Sequence, residues 1–442
     1  MRIGVIGAGL SGLATAFYLS RLLTGSRLTV FEAQGHPGGT LQTVDIDGFR
    51  FETGANGFLT SRADCLQLVH DAGLDEQLVR AAPAARQRFI YTDRLHVLPD
   101  SPRLLAGSGL LTWREKLRAA AELCVPARRN AGEESLRQFG DRRLGPAVTR
   151  VFLDAMAAGI HASTPERLSV QAAFPTLAEL ERAHGGLLRG MIARRGAAGM
   201  GGGLTSLAGG IGTLPHRLVE LTPADWRFGD AVRSVTRADT GLRIAGTRSA
   251  AEVDRVVVAA PAYAAAAMLA PLDATLAAQL ARIEYTPIAV VGFGYRSQPH
   301  PLEGFGVLTT SASRVPILGV TWDSSVFPGR APTGGCALRV MIGGQRAPEL
   351  VALDEPALIE TARTGLRITM QLERKPDVAF VQRWPRGIPA YAPGHLALVG
   401  EIFGRAATVA GLHLNCNAYH GVAMNDCARE ARELALRIAC KC

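Results

Sequence analysis

Residues 2–33, RIGVIGAGLSGLATAFYLSRLLTGSRLTVFEA, restrict the fold more than any other stretch of the chain. They read as an apolar strand, a glycine turn, a helix and a second strand that ends in Glu32. A Gly-x-Gly-x-x-Gly pattern alone is weak evidence. Here Gly7, Gly9 and Gly12 follow a strand and open a helix, and an acidic residue lies twenty positions after Gly12. That context is the fingerprint of a strand–helix–strand dinucleotide site. Gly7 permits the tight turn, Gly9 lets backbone approach a pyrophosphate, and Gly12 lets helix and strand pack closely. Ala8, Leu10 and Ser11 fill the turn, and the unpaired N–H groups of the helix N-terminus face the phosphates. Glu32, with Ala33 beside it, is placed to take ribose hydroxyls.

The fingerprint leaves NAD and FAD open. Two further glycine loops follow, in HPGGTLQT (36–43) and FETGANGF (51–58). They suit a cofactor that extends beyond the pyrophosphate, and so FAD. Gly39 and Thr40 in the first loop, and Gly54, Ala55, Asn56, Gly57 and Phe58 in the second, are candidate contacts. DRVVVAAP (254–261) reads as a buried strand packing beside that cofactor, as in glutathione-reductase-type flavoproteins.

At 442 residues, with 48% apolar and 20% charged residues, the chain is globular and sized for two or three domains. Its net charge of +9 favours anionic partners, and the bases are nearly all arginine: Lys116, Lys375 and Lys441 are the only lysines. Cysteines 65, 124, 336, 416, 427, 440 and 442 are odd in number and form no Cys-x-x-Cys pair, which argues against a disulfide framework or zinc site. No N-terminal signal is visible, and the most apolar stretch (256–272) is broken by Pro261 and Pro271. The expectation is a cytoplasmic protein, at most peripheral to a membrane.

Along the chain, 62–85 reads as helical and 86–99 as a hairpin. Residues 103–200 read as arginine-rich helices, and glycine-dense 193–215 as a flexible loop. Within 111–129, Trp113 and leucines oppose arginines, a pattern for a packing surface or for lying on an acidic bilayer. Period-two alternation in 262–383, with a helix near 354–372, predicts a mixed sheet. No repeat is present, and no block of like charge suggests nucleic acid.

RVFLDAMAAGIHASTPERLSVQAAFPTLAELERAHGGLLRGM (150–191), GGIGTLPHRLVE (209–220), RWPRGIPAYAPGH (383–395) and NAYHGVAMNDC (417–427) together resemble the protoporphyrinogen oxidase family, almost end to end. The resemblance implies an α/β fold (α+β overall). A discontinuous Rossmann-type FAD-binding domain (1–85, 201–261, 384–442) would carry a mixed-sheet substrate domain (86–100, 262–383). A helical, membrane-associating domain (101–200) would be inserted. It implies six-electron oxidation of a porphyrinogen, with oxygen as acceptor, in the late steps of haem synthesis. A homodimer and peripheral membrane contact accompany it. Three hydride transfers from substrate carbon to flavin meet this need, with no catalytic side chain and no metal.

By the same resemblance Val232, Trp384, Cys416, Asn417, Val422, Ala423 and Met424 contact FAD. Arg88 binds a substrate propionate, Leu308 and Met341 sandwich the macrocycle, and Thr321 falls where an aliphatic residue is common. Gly159 matches a backbone contact to substrate. The chain departs from the family at Cys416, where glycine is usual, and at Asn415, in GANGF and in GIHAST, which carries His161 and Thr164. Cys416 also admits covalent attachment to flavin. Three rivals stand beside this reading. Oxidation of coproporphyrinogen III is the first, and a low-turnover flavin-bearing porphyrin binder is the second. Amine oxidation is the third, and it is weakened by the absence of any lysine between 116 and 375.

Overall fold

The computed structural model describes residues 1–128, 132–194, 202–301 and 303–440. Its nucleotide sheet has five parallel strands in the order Asp225–Phe228, Arg27–Glu32, Arg2–Ile6, Arg255–Val258, Leu412–Leu414. Chain order therefore reverses between Arg2–Ile6 and Arg255–Val258, and such a switch point opens a crevice beyond the carboxyl ends of the strands. The expected 254–261 strand is one wall of that crevice. These central strands are buried on both sides, as their unbroken apolar runs require.

On one face of the sheet, the helix Leu10–Leu22 packs against the C-terminal helix Met424–Ala439, with Leu13, Phe17, Ala428, Ala431 and Ala435 fully or almost fully buried. The other face is covered by the alanine-rich helices Ala262–Leu269 and Ala274–Ala281 and by His395–Ala406.

The second sheet has seven strands, in the order Val378–Pro389, Tyr285–Tyr295, Cys336–Gly343, Gly319–Thr321, Gly306–Thr309, Phe89–Tyr91, Leu95–Val97. It is mixed because Gly306–Thr309 runs parallel to Phe89–Tyr91 while its other neighbours are antiparallel. The predicted 86–99 hairpin is its edge. One face (Val291, Phe293, Val307, Val320, Val340) is sealed by the helix Glu355–Met370.

Two local expectations are corrected. Within 62–85 only Asp64–Asp71 is α-helical. Leu78–Arg80 is instead a strand paired with Leu204–Leu207, because that partner, 125 to 129 residues along the chain, offers a ladder that local periodicity does not encode. Leu204–Leu207 itself lies in the stretch read as a loop, and it is the middle strand of a three-stranded sheet. Residues 195–201 of that stretch lie outside the described residues.

The inserted segment is helical as expected. It is tied by Arg143, whose fully buried guanidinium meets the equally buried Glu122. The helix Trp113–Ala120 begins with a Thr112/Glu115 capping box and buries none of its residues. Trp113 and Leu117 are each 69% exposed, so its apolar face is not a packing surface within this chain. No helix among the described residues is long and apolar enough to cross a membrane.

Candidate functional site

The glycine turn sits at the switch point. Gly7 has φ +102°, a conformation that side chains rarely adopt, and a Cβ there would lie 3.0 Å from the Ala259 backbone. A Cβ on Gly12 would come within 1.9 Å of the Gly7 carbonyl oxygen. Gly9 differs: a Cβ on it would meet nothing within 4 Å, so the space above it is open. The helix Leu10–Leu22 starts at Gly9 with no side-chain cap, which leaves its first N–H groups for a ligand. Glu32 accepts the Ala8 N–H at 2.6 Å and the Gln34 N–H at 2.8 Å, so its carboxylate is locked beside the turn. Ala33 is exposed, and Val232 begins a strand two residues after Asp230, whose N–H bonds the Glu32 carbonyl.

Tertiary structure brings the later glycine loops onto this turn. The Gly38 N–H bonds the Ala8 carbonyl at 2.8 Å, and a Cβ on Gly39 would reach the Gly9 Cα at 3.3 Å. Gly54 abuts Thr40, since a Cβ there would fall 2.3 Å from the Thr40 oxygen. The Asn56 side-chain amide nitrogen is buried without a hydrogen-bond partner. An open space over Gly9, an uncapped helix N-terminus, a locked acid and an orphaned amide fit an extended dinucleotide that would complete them.

The nominees from the second sheet share one face. Cross-strand pairs point the same way, and Leu308 pairs with Gly319, Gly319 with Met341, and Thr321 with Arg339. Met341 pairs with Val290, while Ile288, two residues away on that strand, pairs with Trp384. This is the face not sealed by Glu355–Met370, and at one end it meets the loop 52–54. Trp384 Nε1 donates to the Thr53 carbonyl at 2.9 Å, and Arg339 donates to the carbonyls of Glu52 and Gly54. At the other end lies the helix Asp154–His161: a Cβ on Gly159 would sit 3.0 Å from Leu308, and Ala158 and Ala162 pack with Leu318 and Met341.

Arg88 precedes the strand Phe89–Tyr91, exposed, with its guanidinium 5.1 Å from the Phe305 ring centroid. Thr321 is buried, and its hydroxyl donates to Asp323 at 2.7 Å. Reading along the chain gave no hint of Arg339, which joins this polar pair to Gly54. Alternation on the strand Cys336–Gly343 places it two residues from Met341 on the same face.

The C-terminal strand ends at the crevice. Asn415 donates to Thr15 Oγ1 at 2.9 Å, which gives the unusual polar residue a partner on the first helix. The Cys416 thiol is buried among apolar groups that include Ala260, Leu398 and Tyr419, and burial pushes it up to about 12. A thiol so hard to ionise is a poor nucleophile, which disfavours attachment to flavin. Leu10, Phe58 and Met424 turn their side chains into the core, so they can offer a ligand only backbone.

These features coincide with known proteins. Residues 10–439 match the model of the flavin containing amine oxidoreductases. The chain belongs to that family. Within it, the protoporphyrinogen oxidase of Bos taurus is 32% identical, spanning 98% of this chain and 97% of that one. The coproporphyrinogen III oxidase of Bacillus subtilis is 29% identical, spanning 97% and 96%. A crystal structure of a protein assigned as a protoporphyrinogen oxidase, from Exiguobacterium sp. 255-15, superposes with TM-score 0.89 at 26% identity, over 100% of this chain and 99% of that one. Membership of this porphyrinogen-oxidase branch makes FAD the cofactor, in agreement with the open crevice and the three glycine loops.

His161, one of the departures from the family pattern, lies at the end of the Gly159 helix. It is 2% exposed, neither ring nitrogen makes a well-formed hydrogen bond, and burial lowers its pKa from 6.5 to about 4. The unfolded chain therefore binds a proton that the folded chain refuses. The associated stability is present above pH 6.5 and is lost as pH falls toward 4. The loss approaches about 3 kcal/mol at most. Urea midpoints taken across that window should fall steeply, and His161→Leu should flatten the fall; an equally steep profile in the variant would refute the assignment.

Proposed function

We propose that this protein oxidises protoporphyrinogen IX to protoporphyrin IX with oxygen as acceptor. The observation that carries this reading is the apposition of one apolar sheet face to the flavin loops, through Trp384 on Thr53 and Arg339 on Gly54. FAD, when bound, supplies the electron acceptor. Gly7, Gly9, Gly12, the helix N-terminus and Glu32 would hold its phosphates and ribose, with Asn56 and the 416–424 turn nearer the ring.

Leu308, Met341 and the backbone at Gly159 would confine a flexible, apolar macrocycle and exclude water. Proximity and orientation then do the catalytic work that a general base does elsewhere. Arg88 would anchor a propionate, since no carboxylate among the described residues pairs with it. Arg88→Ala should raise KM about ten- to a hundredfold with little change in kcat, the loss expected of a charge-assisted hydrogen bond. Arg88→Lys should recover part of it.

In this reading the FAD-binding domain extends past 261 to about 283, because the helices 262–269 and 274–281 pack on the nucleotide sheet. The last piece begins near 390 and not at 384, because the strand Val378–Pro389 runs unbroken in the seven-stranded sheet, and the bounds 1–85, 86–100 and 101–200 are kept in this proposal. Exposed Leu104, Trp113 and Leu117 would make a peripheral contact with the cytoplasmic membrane face. A homodimer completes the proposal.

The test is an anaerobic titration of the flavoprotein with protoporphyrinogen, followed by air. Bleaching of the flavin band, porphyrin fluorescence and recovery of the band with peroxide release are expected. Bleaching by coproporphyrinogen alone would transfer the assignment to that substrate, in line with the Bacillus subtilis relative. Bleaching by neither would leave a flavin-bearing porphyrin binder.

A further inference from the structure

Tyr391 belongs to the RWPRGIPAYAPGH motif but takes no part in the reaction as described above. It is 1% exposed, and its hydroxyl lies inside the C-terminal turn. The hydroxyl donates to the Asn417 carbonyl at 2.7 Å and accepts the Gly421 N–H at 2.8 Å, so one oxygen closes both ends of that turn. The ring stacks on His395 with centroids 4.1 Å apart and planes 19° apart. His395 Nε2 in turn approaches the Tyr419 carbonyl at 3.2 Å, which gives the same turn a third tie. On the opposite side, Tyr391 meets His161, with centroids 5.8 Å apart. Its own carbonyl accepts the Ser169 N–H at 2.7 Å, from the helical segment.

His161, Tyr391 and His395 therefore form a buried aromatic column. One end is the helix that carries Gly159, which walls the substrate face. The other end is the turn that carries Asn417. The Asn417 carbonyl and the Gly421 amide, both partly buried, share this one hydroxyl, so its removal breaks both ties of the turn at once.

We propose that Tyr391 is the positioning residue of the flavin turn: it sets the 417–421 backbone for the cofactor and ties that setting to the substrate-side helix. This rests on reading Asn417 as a flavin contact, as proposed above. Tyr391 acts through the turn and touches neither the cofactor nor the substrate.

The test is Tyr391→Phe, which keeps the stacked ring and removes only the hydroxyl. FAD added to the apoprotein, followed by flavin fluorescence quenching, should bind about ten- to a hundredfold more weakly. The two-electron reduction potential of the bound flavin should shift, and the Gly421 amide should exchange faster. A residue that merely fills the core would lower the thermal midpoint and leave potential and FAD affinity alone; that result overturns the proposal.

If the variant does not fold, the wild type decides. Gly421 should be protected from exchange in both apoprotein and holoprotein, whereas protection that appears only with FAD overturns the clamp. The outcome is separable from that of the substrate titration. If Tyr391→Phe loosens FAD while no porphyrinogen bleaches the flavin, the positioning role stands and the oxidase assignment falls.

Discussion

Gly12→Ala is expected to yield a protein purified with less than about a tenth of its flavin and a folded state weakened by roughly 3 kcal/mol. The added methyl would lie 1.9 Å from the Gly7 oxygen and 3.1 Å from the Ala259 Cβ. The obstacle is the backbone of a turn already held at positive φ between two central strands, and it cannot swing aside as a side chain would. Relief requires the first helix to lift from the sheet, which opens the Leu13 and Phe17 contacts and displaces the uncapped N–H groups of its first turn together.

Gly9→Ala makes the contrast. Its methyl meets no protein atom within 4 Å, and Gly9 sits at φ −74°, so the apoprotein should be as stable as wild type while the flavin is lost. Flavin-to-protein absorbance and the denaturant midpoint, measured on both variants, check the pair. A stable, flavin-replete Gly12→Ala would show that the helix does not pack as described. A flavin-replete Gly9→Ala would show that the cofactor does not pass over Gly9.

The second large effect lies far from the crevice. Glu122→Ala should cost about 3–5 kcal/mol, because it removes the main counter-charge of the Arg143 guanidinium in a site closed to water and leaves only Glu181, at 3.4 Å, in reach. Both side chains are fully buried. Glu122 also accepts the N–H groups of Leu187 at 2.8 Å and Leu188 at 3.1 Å, the start of the helix Leu187–Arg194. The two terminal nitrogens of Arg143 also reach the carbonyls of Val125, Pro126 and Gly185 and the Glu181 carboxylate, while its Nε has no partner. The pair thus ties three helices together beside the apolar cluster that holds Leu136, Phe139 and Leu187.

Replacing both residues, Glu122→Leu with Arg143→Met, should recover much of the loss, since no unpaired charge remains. Urea unfolding followed by far-ultraviolet circular dichroism measures both. A single variant within about 0.5 kcal/mol of wild type would mean that water enters the pair.

The Gly12 and Glu122 effects differ in how visible they were. Gly7, Gly9, Gly12 and Glu32 lie within one strand–helix–strand unit, where spacing along the chain equals spacing in space. Their arrangement is therefore readable from the chain alone. The Glu122–Arg143 pair was not: two charged residues 21 apart in an arginine-rich segment look like solvated surface. The strand Leu78–Arg80 escaped for the same reason, its partner lying at Leu204–Leu207.

The sequence by itself determined the parts that rest on local chemistry. These are the glycine turn and its acid, the extra glycine loops that call for FAD, the alternating strands and helical insertion, and the motifs shared with the porphyrinogen oxidases. Tertiary structure alone decided which of these meet. It put Leu308, Thr321, Met341 and Trp384 on one face of one sheet, since facing depends on strand order and register, which no strand carries in its own residues. It gave Asn415 a partner in Thr15, 400 residues away, and turned the Cys416 thiol into apolar surroundings. It also placed the Tyr391 hydroxyl within the C-terminal turn, because a buried hydrogen bond is a property of what surrounds a side chain and not of its identity.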